Sequence, residues 1–413
     1  MRGDISVVFT SQNLQFPPFG GPQLRVVNIL KALVEVANVR VLIRRDQNPS
    51  ITVDTLTWLT QIGVHYDFQS QGGRLSRQAK EIIPHRLSEL CAVVRETGLR
   101  NLARDLVGTL TGSQVSVIWV GYAGISAPLV KHLRKLAPNL RIVADNDSVY
   151  SEFLLRTANH QHGIRRLLTR GVGLIRRSEE RMIAKKANVV TSVSSRDRLT
   201  LLRNGCGNEK LFLLVNGIDL DSYKDHHEQT NLSNTFSGEI LIVGTFGNKS
   251  SPMNQAVIWF IQYVLPLLHQ RGGYPRINIV GKNSDKLHSL TNAPNVTFWG
   301  EVPSTIPFFR QSRMMVVPLH FEAGTRLKIL EAGAFRLPVV STSLGAEGLE
   351  LTSGTHYLSA DSDIEMANNI MTLLSDDVLA SRLGGALHGH VVNNFSLTVL
   401  VKQIRAIIDY LRI

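Results

Sequence analysis

Apolar residues along the chain follow two rhythms that alternate with each other. Short, nearly unbroken runs read as strands buried on both faces: Ile5–Thr10, Val39–Ile43, Val115–Val120, Leu140–Ala144 and Val189–Val193, then Ile240–Gly244, Ile277–Gly281, Val296–Gly300 and Met314–Val317. Between them apolar positions recur every three or four residues, as Val26, Leu30, Leu33 and Val34 do after Gln23. The same spacing predicts helices over Ile125–Leu136, Pro252–Leu268, Ser304–Gln311, Asp363–Leu374, Asp377–His390 and Leu397–Ile413. Ser194 and Ser195 stand where a cap would start the helix after the fifth strand. Ser76–Leu110 carries less regular helical spacing. Strands alternating with helices predict an α/β protein built on doubly wound parallel sheets. The pattern runs through twice. The break falls at Leu213–Asp219 and a polar run through Gly238, which predicts domains at 1–215 and 216–396.

A length of 413 residues suits two such domains, and 43% hydrophobic with 19% charged residues is an ordinary globular composition. The two cysteines, Cys91 and Cys206, exclude a disulfide framework, have no metal-ligand spacing and fit a reducing compartment. The longest apolar run, Ala256–Leu268, is interrupted by Gln262 and Pro266 and is too short to span a bilayer. MRGDISVVF reads as a first strand and not as a leader, so the expected compartment is the cytoplasm.

Charge changes the picture. Residues 1–215 hold 30 Lys and Arg against 16 Asp and Glu, whereas 216–413 hold 15 against 17, so the net +12 belongs to the first half. Leu154–Lys186 concentrates it, with Leu167, Leu168, Leu174, Ile175, Met182 and Ile183 interleaved among the basic residues and Gly163, Gly171 and Gly173 expected to break it into pieces. Such a segment suits an anionic membrane surface as partner, or else a solvated helix face whose Arg stems cover the core. No finger, RNA-recognition or helix-turn-helix signature accompanies the charge, so nucleic acid is not an expected partner.

Chemistry gathers in Met314–Glu350. An apolar run meets Pro318, a helix is expected to open at Gly324-Thr325, and Pro338 stops it. Leu327, Leu330 and Ala334 form an apolar stripe, while Gly324, Lys328 and Glu331 fall on a neighbouring, exposed face. A helix N-terminus and a cation favour phosphate oxygens, and a carboxylate roughly 10 Å from Gly324 could accept ribose hydroxyls. An ordinary βα unit with a solvated Lys–Glu pair has the same pattern. Asp145-Asn146-Asp147 after a strand has the form of a metal-binding D-x-D, but no His or further carboxylate completes a site, and caps or turns explain it as well.

The run PLHFEAGTRLKILEAGAFRLPVVSTSLGAEGL, Pro318 to Leu349, resembles the nucleotide-binding signature of group 1 (family 4) GT-B glycosyltransferases, PL-x-x-G-A-G-T-R-x-K-x-x-E-A followed by P-V-V-S-T-x-x-G-x-E-G. VNGIDLDSY resembles the segment preceding that family's second domain, LIVGTFGNKSSPMNQAVIWF its opening, and VTFWGEV a later strand. Many relatives carry two glutamates with seven residues between them. Glu331 matches the second; Ala323 stands at the first, with Glu322 one residue off. Thr245 stands where relatives have Arg.

The resemblance implies two Rossmann-like domains facing a cleft, with the last helix crossing back to the first. It implies a retaining transferase moving sugar from a nucleotide-diphosphate sugar to a glycan, lipid-linked or other hydroxyl acceptor, as in cell-surface polysaccharide synthesis, without a metal cofactor. Gly20 and Gly21, Lys249, Gly324, Thr325, Lys328 and Glu331 then correspond to donor-binding positions. Asp145 and Asp147 lie on the acceptor side, where they could orient or deprotonate a hydroxyl, and Lys328 assists the leaving diphosphate. Arg25 either helps with anionic groups or is solvated. Ala323 and Thr245 leave open a catalytically silent partner subunit of the same fold.

Overall fold

The computed structural model describes residues 5–46, 50–70, 92–110, 115–224, 239–247 and 251–412. Among them β1 (Ile5–Thr10), β2 (Asn38–Ile43), β3 (His65–Phe68), β4 (Val115–Gly121), β5 (Arg141–Asp145), β6 (Val189–Ser192) and β7 (Leu211–Leu213) form one parallel sheet in the order β3-β2-β1-β4-β5-β6-β7. β8 (Glu239–Val243), β9 (Arg276–Val280), β10 (Val296–Gly300), β11 (Met314–Val317), β12 (Val339–Ser341) and β13 (Leu358–Ser359) form a second, in the order β10-β9-β8-β11-β12-β13. The central strands are apolar and fully buried, as parallel strands between helix layers must be. In the first sheet one such layer packs Leu99, Leu102, Leu106, Leu129 and Leu133 onto Val8, Ile118, Val120 and Ile142. In each sheet the strand order reverses beside the first strand, between β1 and β4 and between β8 and β11. Ligands of doubly wound sheets bind at the carboxyl ends beside that switch.

The chain divides into two compact units, Met1–Val215 with Leu400–Ile413, and Asn216–Val399. The final helix, Leu397–Arg412, buries Leu400, Ile404, Ile407, Ile408 and Leu411. Its Gln403 accepts from the Val215 N–H at 3.0 Å, and Tyr410 packs on Phe212.

Several expectations are corrected. Leu213, expected to open the linker, ends β7. A helix at Val53–Gln61 and strands β3 and β13 carry no apolar alternation strong enough to predict them; β3 is largely exposed and β13 is two residues long. The long helix after Ser251 widens at Phe260–Val264, where Leu265 N–H reaches back to Phe260 O, because Pro266 has no N–H for the carbonyl one turn behind. Gly163–Lys186 is one continuous helix. Only Gly163, at φ +59°, marks a break, from the preceding Tyr150–Asn159 helix. Gly173 serves packing instead: a Cβ there would stand 3.2 Å from Leu155, so the glycine lets the two helices close together. In Ser76–Leu110 the described part is a helix, Ala92–Gly108; residues 76–91, including Cys91, lie outside the described residues.

Candidate active site

The helix after β11 begins at Leu327, not at Gly324. Gly324 has φ +75°, a left-handed conformation that no helix start can use and that a side chain resists. Arg326 is the extended N-cap, and its buried guanidinium folds back to donate to Ala323 O at 2.8 Å, Gly324 O at 2.6 Å and Leu344 O at 3.2 Å. These bonds hold the loop from β11 in a tight turn. Asn216 ties the same loop to the start of the unit by donating to Thr325 Oγ1 at 2.6 Å.

Lys328 therefore lies in the first turn, and its side chain is half-buried instead of sitting on an open edge. Nζ donates to Val243 O at 2.6 Å, the last residue of β8, with Met253 Sδ at 3.1 Å. The ammonium thus stands at the carboxyl edge beside the β8–β11 switch. Burial lowers its pKa to about 8, as does Arg326, while Glu322 and then Glu331 oppose the shift. Glu322, one position off the expected register, accepts from the Ala323 N–H at 3.2 Å, and its charge does more than that of Glu331 to keep this Lys charged. Glu331 lies nearly one turn beyond Lys328 and accepts from Tyr223 Oη at 3.4 Å; burial raises its pKa to about 7 against the hydrogen bond and Lys328. Tyr223 packs edge-on to Phe335. His320, the histidine closest in sequence to this site, is set against Trp259 with ring centroids 4.5 Å apart. Lys249 lies outside the described residues.

In the first unit the two aspartates separate. Asp145, at the end of β5, is 2% exposed; Oδ1 accepts from Arg25 Nη2 at 2.6 Å and Thr191 Oγ1 at 2.8 Å. Arg25 also reaches Leu214 O, Val215 O and Asn146 O. This buried pair clamps the helix Gly21–Val34 to the ends of β5 and β7. Asp145 thus serves the scaffold, and Arg25, buried and not solvated, is its counterion. Asp147 is only half-buried. Burial raises its pKa to about 7, opposed by Arg25 and by its own backbone hydrogen bond. Tyr122, at the end of β4, has a left-handed backbone (φ 58°), and burial and then Asp147 push its hydroxyl well above the usual range. Strained backbone at a strand's carboxyl end is a mark of working sites. Gly20 is extended at φ −172°, its carbonyl accepting from Leu24 N, and Gly21 opens the helix. Among the described residues no group of three or more His, Cys, Asp or Glu could hold a metal ion.

Sequence reasoning assigned no role to Arg326, Tyr223, Asn216 or Tyr122. The first three lie inside the quoted motifs, so their positions were visible but their contacts were not. Nothing in the sequence marks Tyr122.

Residues 238–376 match the family model described as glycosyl transferases group 1. No curated protein matches the chain in sequence. Among solved structures, sucrose-phosphate synthase from Thermosynechococcus elongatus is similar with a TM-score of 0.69 at 17% identity, over 99% of each chain. HepE from Anabaena, in complex with UDP-glucose, gives 0.64 at 16%, over 98% of this chain and 99% of that one. The lipopolysaccharide outer core galactosyltransferase WaaB gives 0.61 at 13%, over 98% and 99%. At such identities the likeness speaks for the fold alone. The chain thus has two Rossmann-like sheets and the GT-B fold of these structures, and its residues 238–376 are similar to glycosyl transferases group 1.

Proposed function

We propose that the enzyme moves a sugar, with retention at the anomeric carbon, from a nucleotide-diphosphate sugar to a hydroxyl of a glycan, glycolipid or other acceptor. The observation that carries this reading is Lys328 and Glu331 nearly one turn apart on a helix at the β8–β11 switch, behind the Gly324 turn. In it Glu331 accepts two ribose hydroxyls, and Lys328 with the loop and helix N–H groups of the Gly324–Thr325 region neutralises the diphosphate. Gly20 and Gly21, without Cβ atoms, allow close approach of donor phosphate and acceptor, and Lys249 adds a phosphate contact. The complexes of HepE with UDP and UDP-glucose support a nucleotide sugar as donor, since that protein shares the fold over nearly its whole length.

The acceptor oxygen attacks the anomeric carbon on the face that the diphosphate leaves. The bond from that carbon to the phosphate oxygen breaks, and the nucleoside diphosphate departs with the electron pair. The hydroxyl proton passes to a phosphate oxygen on the same face. The protein positions the reactants and stabilises the leaving group, with Lys328 meeting its developing charge. Asp147 orients the acceptor hydroxyl, and Asp145 positions the surrounding loop through Arg25. No metal is needed in this scheme. Likeness to a lipopolysaccharide galactosyltransferase favours cell-surface glycoconjugates as products. A cytoplasmic enzyme working peripherally at the inner membrane face completes the reading. Incubation with a panel of UDP-, GDP- and other nucleotide sugars, with the released nucleotide identified, tests it: consumption of one donor class supports it, and no consumption with any acceptor extract contradicts it.

A further inference from the structure

Surface helices of globular proteins turn their apolar stripe toward the core. The Gly163–Lys186 helix carries a second stripe on the opposite side. Its buried residues are Gly173, Glu180, Ile183 and Ala184. Glu180 accepts from the Ser151 N–H, Ser151 Oγ and Asn204 Nδ2, fixing that face to the unit. Ile164, Leu167, Leu168, Leu174 and Ile175 are between 54% and 68% exposed. At 100° per residue these five and the exposed Gly171 fall within an arc of about 120°, centred almost opposite Gly173 and Glu180. The stripe runs about 16 Å along the helix.

We propose that this face is a docking surface for an anionic lipid bilayer. Charge complementarity selects the occupant. The helix GIRRLLTRGVGLIRRSEERMIAKK holds eight basic residues against two acidic ones. Arg165 on one side and Arg170 and Arg181 on the other are exposed beside the stripe. A second copy of the chain laid on this face would bring the same cations together. A bilayer instead takes the five aliphatic side chains at its acyl boundary while the guanidinium groups meet lipid phosphates. The excess positive charge of residues 1–215 extends the attraction beyond the helix. This surface belongs to the first unit, so the proposal stands apart from the donor reading.

The test uses the full chain and co-flotation with vesicles of phosphatidylcholine, with and without phosphatidylglycerol. Binding should require the anionic lipid and weaken with added salt. Leu167→Gln with Leu168→Gln should lower partitioning about tenfold or more, and Arg165→Gln with Arg170→Gln should lower it about tenfold and flatten the salt dependence. All four side chains are exposed, so thermal melting and nucleoside diphosphate affinity should be unchanged, which separates failure here from failure of the donor site. Equal binding to neutral vesicles, binding to neither, or undiminished binding by the leucine variant would overturn the proposal. So would sedimentation showing a dimer that the leucine variant dissolves.

Discussion

Asp145 and Asp147 are two residues apart and chemically identical, yet the fold gives them opposite work. Asp145 is sealed against Arg25, so Asp145→Ala removes a buried carboxylate partner of that cation and should cost about 3 kcal/mol in urea unfolding. Asp147→Asn should leave stability within about 1 kcal/mol but lower kcat by about 100-fold or more, measured with donor saturating. Protonation should show itself at the donor site as well. Glu331 must be ionised to accept ribose hydroxyls, and with its pKa raised to about 7 it is lost as pH falls through that value. Lys328 must be charged, and with its pKa lowered to about 8 it is lost as pH rises through that value. The pH profile of kcat/KM for the donor should therefore be a narrow bell with limbs near these two values. Glu322→Gln removes the largest charge that raises the Lys328 pKa, so it should move the alkaline limb to lower pH.

At the scale of elements, the turn before the Leu327–Ala334 helix decides where Lys328 points. Gly324→Ala forces a Cβ into a left-handed backbone, which should cost about 1–2 kcal/mol in urea unfolding and weaken nucleoside diphosphate binding together. The strand, the helix and its apolar stripe were legible because one-sided burial writes a period into the sequence: Leu327, Leu330 and Ala334 are all buried. The first residue of the helix was not, because the competing turn is held by Arg326, whose bonds to Ala323 O and Gly324 O depend on a folded loop. Helix Gly163–Lys186 was misread for a related reason. Glycine is a helix breaker by propensity, but packing against Leu155 outweighs a penalty of about 1 kcal/mol at Gly173. β3 and β13 are sheet edges; exposure erases the apolar signal of β3, and β13 is too short to carry one.

For the molecule as a whole, the doubled strand–helix pattern was readable in both halves apart from Val53–Gln61, β3, β7 and β13, since both sheets repeat one strand order. What no linear pattern discloses is convergence: Arg25 meeting Asp145 and Leu214, or Lys328 meeting Val243. If donor phosphates are held by these groups alone, chelator should leave turnover unchanged; loss with chelator and rescue by Mn²⁺ would point to a metal instead. The central claim is that the second unit grips a nucleoside diphosphate through Lys328 and Glu331, and calorimetric titration tests it most directly. The intact chain should bind one class of nucleoside diphosphate, and Glu331→Gln should bind it roughly 10- to 150-fold more weakly, the loss expected for a hydrogen bond to a charged group. Unchanged affinity in a folded Glu331→Gln variant would contradict the account.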